Sequence, residues 1–273
     1  MSEPDADVVT SVLRTGTLEL DARMLDASNV TLVGKASLDG VTIPCVYKPS
    51  AGERPLWDFS TGTLSRREVA TYEVSVASGW DLVPITVLRD DGPAGEGMCQ
   101  QWIESDSTDV ELLVDVFGPD EVPTDWHRVV SGSGSDGRPI VLAHSDDARL
   151  RNLAVLDAVV NNADRKGGHL LLDDTDHLYG IDHGVCFNEE TKLRTFLWGW
   201  AGTPLLDEQL AVLRALRAQL SDSDDSSALR AKLVPLLTSG EIARTLRRVD
   251  VLIAAGSYPA PSDEWPALPW PIF

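Results

Sequence analysis

The feature that most constrains the fold is a change of pattern roughly one third of the way along the chain of 273 residues. Before that point, short runs rich in β-branched residues are separated by turn signals such as Asp39-Gly40, which is typical of antiparallel strands. One run, residues 64–79, instead repeats its apolar residues at helical spacing and ends at Gly79. The runs that predict strands are residues 18–24, 29–38, 41–49, 82–90 and 97–105.

After about residue 106 the pattern becomes mainly helical. Leu150, Leu153 and Leu156 place an apolar stripe on one helix. Residues 109–117 also predict a helix, and the Gly/Ser-rich residues 129–140 predict a flexible loop or short linker. The later helical segments are residues 205–220, 228–237 and 241–256, and a Trp/Pro-rich tail follows them. We expect this tail to pack irregularly on the helices.

These patterns together predict an α+β fold with two lobes. Residues 1–105 are expected to form a small antiparallel β lobe plus one helix, and residues 106–273 a larger, mainly helical lobe. Two lobes of this kind enclose a cleft, which is a common place for a ligand site.

The charge balance is strongly acidic, with 43 Asp and Glu against 23 Lys and Arg and a net charge of -20 at pH 7. Such a chain repels nucleic acid and anionic lipid, so we expect neither nucleic-acid partners nor stable membrane association. No run approaches the roughly 18–20 apolar residues of a membrane-spanning helix, and the acidic start does not resemble a secretory signal. The three cysteines form no CxxC pair. We expect a cytoplasmic protein with reduced cysteines.

One lysine stands out because it ends an apolar strand. Phosphoryl transfer needs a cation on the phosphates, acidic ligands for a divalent metal, and a carboxylate near the attacking hydroxyl. Lys48, in VYKP, could supply the cation, and Glu68, on the flank of the predicted helix, could hold it in place. The alternatives are a solvated lysine at a strand end and Glu73 as the supporting acid.

Two aspartates follow the first apolar helix of the larger lobe. Asp164 comes directly after that helix, and Asp182 lies 18 residues later, behind two short strand candidates at residues 169–172 and 178–182. The order of helix, loop acid, hairpin and second acid is the order of the catalytic and metal-binding loops of kinases.

The segments NNADRKGGHLLL and LYGIDHGVCF resemble the catalytic and metal-binding loops of the phosphatidylinositol 3-/4-kinase superfamily and, more distantly, those of HipA-type serine kinases. The resemblance implies a protein-kinase-like fold with ATP and Mg²⁺, or alternatively Mn²⁺, as cofactors. It implies that Lys48 binds ATP, that Glu68 supports it, that Asp164 is the catalytic aspartate and that Asp182 is the principal magnesium ligand.

The same resemblance extends to the expected nucleotide-binding elements. MCQQWIE resembles the hinge strand between the lobes, which implies that the backbone near Gln100, Gln101 and Trp102 is available to adenine. The turn around Ser28 and Asn29 takes the place of the phosphate-covering loop, although it lacks a Gly-x-Gly sequence.

The chain departs from the family in its metal and phosphate contacts. His169 stands where related kinases place a metal-binding asparagine, and imidazole suits zinc or manganese better than magnesium. His169 is therefore either a metal ligand or a structural histidine. Lys166, two residues after Asp164, could neutralise the transferring phosphate or could be solvated.

The acceptor is the least defined part of this interpretation. After Asp182 the chain offers only Lys192 and Arg194 beside two glutamates, which is poorly suited to an inositol-lipid headgroup. A small molecule or a protein hydroxyl fits better. The aromatic run Phe196, Trp198 and Trp200 could form an acceptor wall or belong to the core.

Other function classes remain as alternatives to an active kinase. A nucleotide-binding pseudokinase and an AMP-transferring enzyme both fit the same motifs. A metalloenzyme built on His169, His177 and His183 would need these side chains to converge, although no HxxxH or HxH spacing occurs. A serine hydrolase is disfavoured because the chain has no GxSxG turn.

Overall fold

The structure, a computed structural model, describes residues 4–24, 29–54, 56–59, 63–106, 109–226 and 228–272. A five-stranded antiparallel sheet forms the smaller lobe, and helices with two smaller sheets form the larger lobe. The predicted α+β class with two lobes is confirmed. The boundary at residues 105 and 106 stays a prediction.

The sheet of the smaller lobe has the strand order β1-β2-β3-β5-β4. Its β2–β3 hairpin turns at Asp39 and Gly40, whose φ angles of 51° and 81° suit the mirror-image turns that match the twist of a hairpin. The strands are β1 Thr17–Arg23, β2 Leu32–Leu38, β3 Val41–Pro49, β4 Thr86–Gly92 and β5 Gly95–Gln101.

A helix that the sequence pattern did not predict covers one face of this sheet. Helix α1, Ala6–Thr15, buries Val9, Val12 and Leu13 against the sheet. The guanidinium of Arg89 donates to the carbonyls of Leu13 and Gly16 at the end of α1. The described part of the smaller lobe therefore has two α-helices, one more than the sequence pattern predicts. Paired valines favour strands locally, so the packing against the sheet decides the helix.

The predicted helix after β3 is present as α2, Leu64–Ser78, and ends at Gly79 with φ 71°. It is buried on several sides because it lies between the sheet and the larger lobe. Even polar residues of its first turns, Arg67 and Glu68, are buried. This position places the side chains of α2 next to the cleft.

The segment after the small sheet folds differently from the prediction. Residues 109–117 form a short 3₁₀ helix, Asp109–Leu112, and strand β6, Val114–Phe117. The predicted flexible loop forms strands β7, Trp126–Ser133, and β8, Pro139–Ser145, which pair with β6 in the order β6-β8-β7. Both predictions are wrong because pairing with β8 decides the structure, and local composition does not report this pairing.

The larger lobe is otherwise helical, as predicted. The apolar stripe of Leu150, Leu153 and Leu156 is completely buried in its core. Residues 228–237 form a shorter helix than predicted, because Pro235 follows its last turn. The remaining elements are α3 Ala148–Val160, β9 Leu170–Leu172, β10 Leu178–Gly180, α4 Asp207–Ser221, α5 Leu229–Leu233 and α6 Ser239–Ala255.

The C-terminal tail has no helix or strand among its described residues and packs on this lobe, as expected, through Leu268 and Ile272. All three cysteines are buried and free. No helix in the described ranges is long and apolar enough to cross a membrane.

Candidate active site

Lys48 is placed by the alternation of strand β3. Ile43 and Cys45 face the core cluster that contains α1, whereas Lys48 pairs across the sheet with Met98, which packs in the same core as α2. Its ammonium group donates to Glu68 Oε1 at 2.7 Å and to Asp182 Oδ1 at 2.9 Å. One lysine thus joins the sheet, α2 and the larger lobe.

These ionic contacts shift the pKa values of the three groups. Burial alone would lower the pKa of Lys48, but the carboxylates of Asp182 and Glu68 outweigh it and raise that pKa. The charge of Lys48 lowers the pKa of Asp182, whose side chain is half exposed. Burial raises the pKa of Glu68 against the effect of Lys48. Lys48 and Asp182 are therefore charged at neutral pH.

Asp182 lies directly after the β9–β10 hairpin. Its φ of 62° is uncommon for a residue other than glycine. The N–H of Ile181 donates to the carbonyl of His169, so the hairpin holds the aspartate beside the preceding loop. The backbone strain at Asp182 is held by this surrounding structure, as is frequent at functional positions.

Arg165 ties together the two loops that carry Asp164 and Asp182, which we call the floor loops (residues 161–169 and 181–184). Its guanidinium forms a buried pair with Asp157 at 2.9 and 3.0 Å and donates to the carbonyls of His169 and Ile181. It also contacts the ring of His183. Arg165 therefore contacts both floor loops, which the hydrogen bond from Ile181 to His169 also joins.

The sequence motifs gave no role to Arg165 or Asp157, although one signal was present. Asp157 interrupts the apolar run of α3, and a carboxylate there needs a buried partner. Gly180 leaves room for that partner, since a Cβ at this position would lie 3.0 Å from Arg165 Nη2.

Asp164 lies at the mouth of the first floor loop. Its backbone N–H donates to Asn162 Oδ1 at 3.0 Å, and its carboxylate pairs with Lys166 Nζ at 3.1 Å. Burial raises the pKa of Asp164, with Lys166 acting in the opposite direction. A raised pKa makes this carboxylate a better proton acceptor than an ordinary aspartate.

His169 faces Asp182 across the floor. Its Nε2 lies 3.4 Å from Asp182 Oδ2, and burial lowers the pKa of His169 to about 4, so the ring is neutral at pH 7. In the described part of the chain, its Nδ1 is buried without a hydrogen-bond partner. A neutral imidazole beside a carboxylate suits a metal ligand.

The three histidines of the metalloenzyme alternative do not converge. His177 contacts the carbonyl of Asp81, whereas His183 is buried against Arg165. Among the described residues, no group of three or more His, Cys, Asp or Glu side chains is placed to hold a metal ion by itself. A metal at Asp182 and His169 would need further ligands from a bound substrate or water.

A cavity of about 370 Å³ lies between the lobes and brings most of the predicted site together. Of the predicted site residues, those that line it are Asn29, Lys48, Glu68, Asp164, Lys166 and Asp182. Ser28 lies outside the described residues, and His169 does not line the cavity but lies 3.4 Å from Asp182, which does.

Comparison with known proteins gives a family but no established activity. The chain is 41% identical over 270 residues to Protein Rv2133c of Mycobacterium tuberculosis (strain ATCC 25618 / H37Rv), covering 96% of this chain and 95% of that protein. The chain belongs to the family of Rv2133c. No protein-family model matches it.

Among solved structures, the crystal structure of the Helicobacter pylori proinflammatory kinase CtkA aligns with 90% of this chain and 94% of its own. The TM-score is 0.46 and the sequence identity is 9%. The resemblance to the phosphatidylinositol 3-/4-kinase superfamily therefore stays a prediction that depends on the site residues themselves.

The predicted hinge residues do not line the cavity. The N–H groups of Gln101 and Trp102 donate to the carbonyls of Ile85 and Pro44, and the buried side chain of Gln100 donates to Thr86 Oγ1 at 2.8 Å. Strand β5 lies between β3 and β4, so its backbone is paired on both sides. The N–H groups of Gln101 and Trp102 are therefore already used within the protein, and a contact between adenine and the backbone near Gln100, Gln101 and Trp102 stays a prediction.

The aromatic run after the second floor loop belongs to the core. Phe196 and Trp200 are buried, and the indole of Trp198 donates to the carbonyl of Ala267 at 2.9 Å. The guanidinium of Arg194 donates to the carbonyl of Leu268. Of the two interpretations of these aromatic residues, the structure supports the core and gives no acceptor wall.

Proposed function

We propose that this protein is an ATP- and divalent-metal-dependent phosphotransferase that acts on a hydroxyl group of a small molecule or a protein. The observation that carries the proposal is that Lys48 Nζ contacts both Glu68 and Asp182 in a cavity that also holds Asp164. This set contains the cation, the acidic group for metal and the carboxylate that phosphoryl transfer requires.

In this proposal Lys48 binds the nucleotide's phosphates. Its charge is maintained by two carboxylates, and Glu68, which is buried, fixes the direction of the ammonium group. Asp182 would release Lys48 in part when phosphate oxygens enter, because half of its side chain already faces the cleft. The lysine can then exchange a protein carboxylate for phosphate without leaving its position.

Asp182 and His169 are the residues that would hold the metal. The carboxylate and the neutral imidazole lie 3.4 Å apart, and magnesium commonly completes such a site with water and phosphate oxygens. The residues present therefore fit a divalent ion, and the imidazole favours manganese over magnesium. A bound ion would neutralise charge on the phosphates.

Asp164 would accept the proton of the acceptor hydroxyl. The acceptor oxygen attacks the γ-phosphorus, the bond from that phosphorus to the β–γ bridging oxygen breaks, and ADP leaves with the bond's electron pair. Burial raises the pKa of Asp164 toward the range that suits this role. Lys166, 3.1 Å from Asp164, would offset charge on the transferring group.

A nucleotide-binding module without turnover is the second candidate. It is favoured by the direct contact between Lys48 and Asp182, which occupies one carboxylate oxygen that a metal would use. The same experiment separates the two candidates, because both predict binding and only the enzyme predicts product.

The test compares Asp182→Asn with Asp174→Asn, an exposed aspartate in the β9–β10 turn. We expect ATP with Mg²⁺ or Mn²⁺ to raise the melting temperature of the parent and of Asp174→Asn, and Asp182→Asn to lose this shift. Equal shifts in all three proteins would contradict the assignment of Asp182.

Turnover is tested with the same proteins and Asp164→Asn, using ATP and a panel of hydroxyl acceptors. Asp164→Asn is expected to keep nucleotide binding and to lose about 10²-fold or more of the rate. A product heavier by one phosphate supports the kinase, and a product heavier by AMP supports AMP transfer. Binding in the parent without any product supports the non-catalytic module.

A further inference from the structure

The cavity is covered by the connection from β3 to α2, which we call the roof segment (residues 49–59, with residue 55 outside the described ranges). We propose that Arg54 in the roof segment binds the terminal phosphates of the nucleotide, and that a clamp around Lys192 positions it. This inference rests on the proposed function and adds a phosphate-binding residue to it. No sequence motif marked either residue for these roles.

The roof segment lines the same cavity as the proposed catalytic groups. Glu53, Arg54 and Leu56 face it together with Lys48 and Asp182. In many nucleotide-binding proteins a glycine-rich loop covers the phosphates with backbone N–H groups. The corresponding turn of this chain has no Gly-x-Gly, and a side-chain donor on the roof segment can serve that purpose.

Arg54 differs from Lys48 and Lys166, the other cations that line the cavity, because its guanidinium forms no ion pair with another described residue. Lys48 is bonded to two carboxylates, and Lys166 is paired with Asp164. Within the described part of the chain, the exposed guanidinium of Arg54 has no hydrogen bond or ion pair. A guanidinium with free N–H groups can form paired hydrogen bonds to phosphate oxygens.

The nearest acidic neighbour in sequence does not neutralise Arg54. Glu53 Oε1 accepts hydrogen bonds from the backbone N–H of Ser65 at 2.8 Å and from its hydroxyl at 2.6 Å, at the start of α2. The carboxylate of Glu53 is therefore hydrogen-bonded to the start of α2, and the guanidinium of Arg54 is available to bind an anion from solution.

The backbone of the roof segment is fixed near Arg54 by the β1–β2 connection. The N–H of Arg54 donates to Asn29 Oδ1 at 2.8 Å, and the N–H of Val30 donates to the carbonyl of Gly52. Asn29 was predicted to cover phosphates itself. Its side-chain oxygen holds the backbone from which Arg54 extends, and a contact of Asn29 with phosphate stays a prediction.

The other half of the roof segment is held by Lys192, which is buried. Its Nζ lies 4.8 Å from the ring centre of Trp57 and 4.2 Å from that of Trp265, and 3.1 Å from Asp58 Oδ2. A desolvated cation over an aromatic face is attracted by the negative potential of the ring. This Lys192 clamp joins the roof segment to the tail and to the segment after Asp182.

A second contact also joins the roof segment to the segment after Asp182. The side-chain amide of Asn188 donates to the carbonyl of Asp58 at 2.8 Å. The guanidinium of Arg67 also lies 4.7 Å from the ring centre of Phe59. The roof segment is thus attached at Gly52 and Arg54 on one side and at Asp58 and Phe59 on the other.

The test measures dissociation constants of ATP, ADP and AMP, each with Mg²⁺, by calorimetry on the full chain. The variants are Arg54→Ala, Arg54→Lys and, as a control of equal charge change, Arg138→Ala in the exposed β7–β8 turn. Arg54→Ala is expected to weaken ATP binding about 10-fold or more, ADP less, and AMP hardly at all. Arg54→Lys is expected to recover part of the loss, and Arg138→Ala to match the parent.

The outcomes separate this inference from the proposed function. If the parent binds ATP and Arg54→Ala binds ATP equally well, or loses ATP and AMP affinity by the same factor, Arg54 does not bind the terminal phosphates and the proposed function stands. If the parent binds no nucleotide, the proposed function fails and the inference fails with it.

The role of the Lys192 clamp is tested with a double-mutant cycle that combines Trp57→Ala and Arg54→Ala. Trp57 is chosen because it is 81% exposed, so its removal leaves the core intact. We expect Trp57→Ala to weaken ATP binding, and the double variant with Arg54→Ala to be weakened less than the product of the two single losses. If the loss of ATP affinity in the double variant equals the product of the two single losses, the clamp does not position Arg54.

Discussion

The two sides of the cleft are held together in different ways. The floor loops are joined around one buried ion pair, Arg165 with Asp157, whose side chains are fully enclosed, and by the hydrogen bond from Ile181 to His169. The roof segment depends on several separate contacts, among them Asn29 with Arg54 and the Lys192 clamp. Loss of the buried charge pair is expected to disturb both floor loops at once. Loss of one contact of the roof segment is expected to leave its other contacts in place.

The largest expected effect comes from breaking the floor. Arg165→Leu leaves the Asp157 carboxylate buried without its partner, and we expect unfolding to become easier by about 3–5 kcal/mol. Urea denaturation measures this change. Arg217→Leu, which removes an exposed pair with Asp250, is the matched control and should cost less than about 1 kcal/mol. Similar losses in both variants would show that the floor has no special dependence on Arg165.

Acid is expected to act on the larger lobe through His144, a buried residue of β8. Burial lowers the pKa of His144 to about 4 from its usual 6.5, so the unfolded chain binds this proton more readily than the folded one. Stability should therefore fall as the pH drops from about 6.5 to about 4, by up to about 3 kcal/mol from this residue.

The check is urea denaturation of the parent and of His144→Gln at several pH values in that range. The His144→Gln protein is expected to show a weaker dependence on pH, by up to one proton. Identical pH dependence in the two proteins would mean that His144 does not contribute.

A smaller effect is expected in the roof. Glu53→Gln weakens the acceptor for the first N–H groups of α2, and we expect a loss of about 1 kcal/mol. Hydrogen exchange at the Ser65 amide is the direct measurement, because Glu53 accepts from this group. Faster exchange at Ser65 with unchanged exchange in α3 would show that roof and floor open separately, and unchanged exchange at Ser65 would count against the contact.

Much of the smaller lobe could be predicted from local signals. Strand β3 has the predicted bounds, residues 41–49, and α2 begins at the predicted residue, because β-branched runs, turn residues and a terminal glycine all act over short distances. Helix α1 and the β6-β8-β7 sheet were missed because partners distant in sequence stabilise them.

The residues of the candidate site also fall into those that local motifs predict and those that depend on distant contacts. Lys48, Glu68, Asp164 and Asp182 could be named from motif order, and the structure brings them to one cavity. Arg165 could not be assigned a role, since its meaning depends on Asp157 and on carbonyls of both floor loops. The pairing of the Gln101 and Trp102 N–H groups was missed for a related reason, because motif order does not reveal which backbone groups neighbouring segments already use.

The attachment of both floor loops to Arg165 also affects how this protein could be engineered. The guanidinium donates hydrogen bonds to carbonyls on both sides of the β9–β10 hairpin. Neither floor loop can therefore be exchanged alone for that of a homologue without disturbing the other. Residues 157–183 should be transplanted as one cassette, and chimaeras with junctions inside it should express poorly.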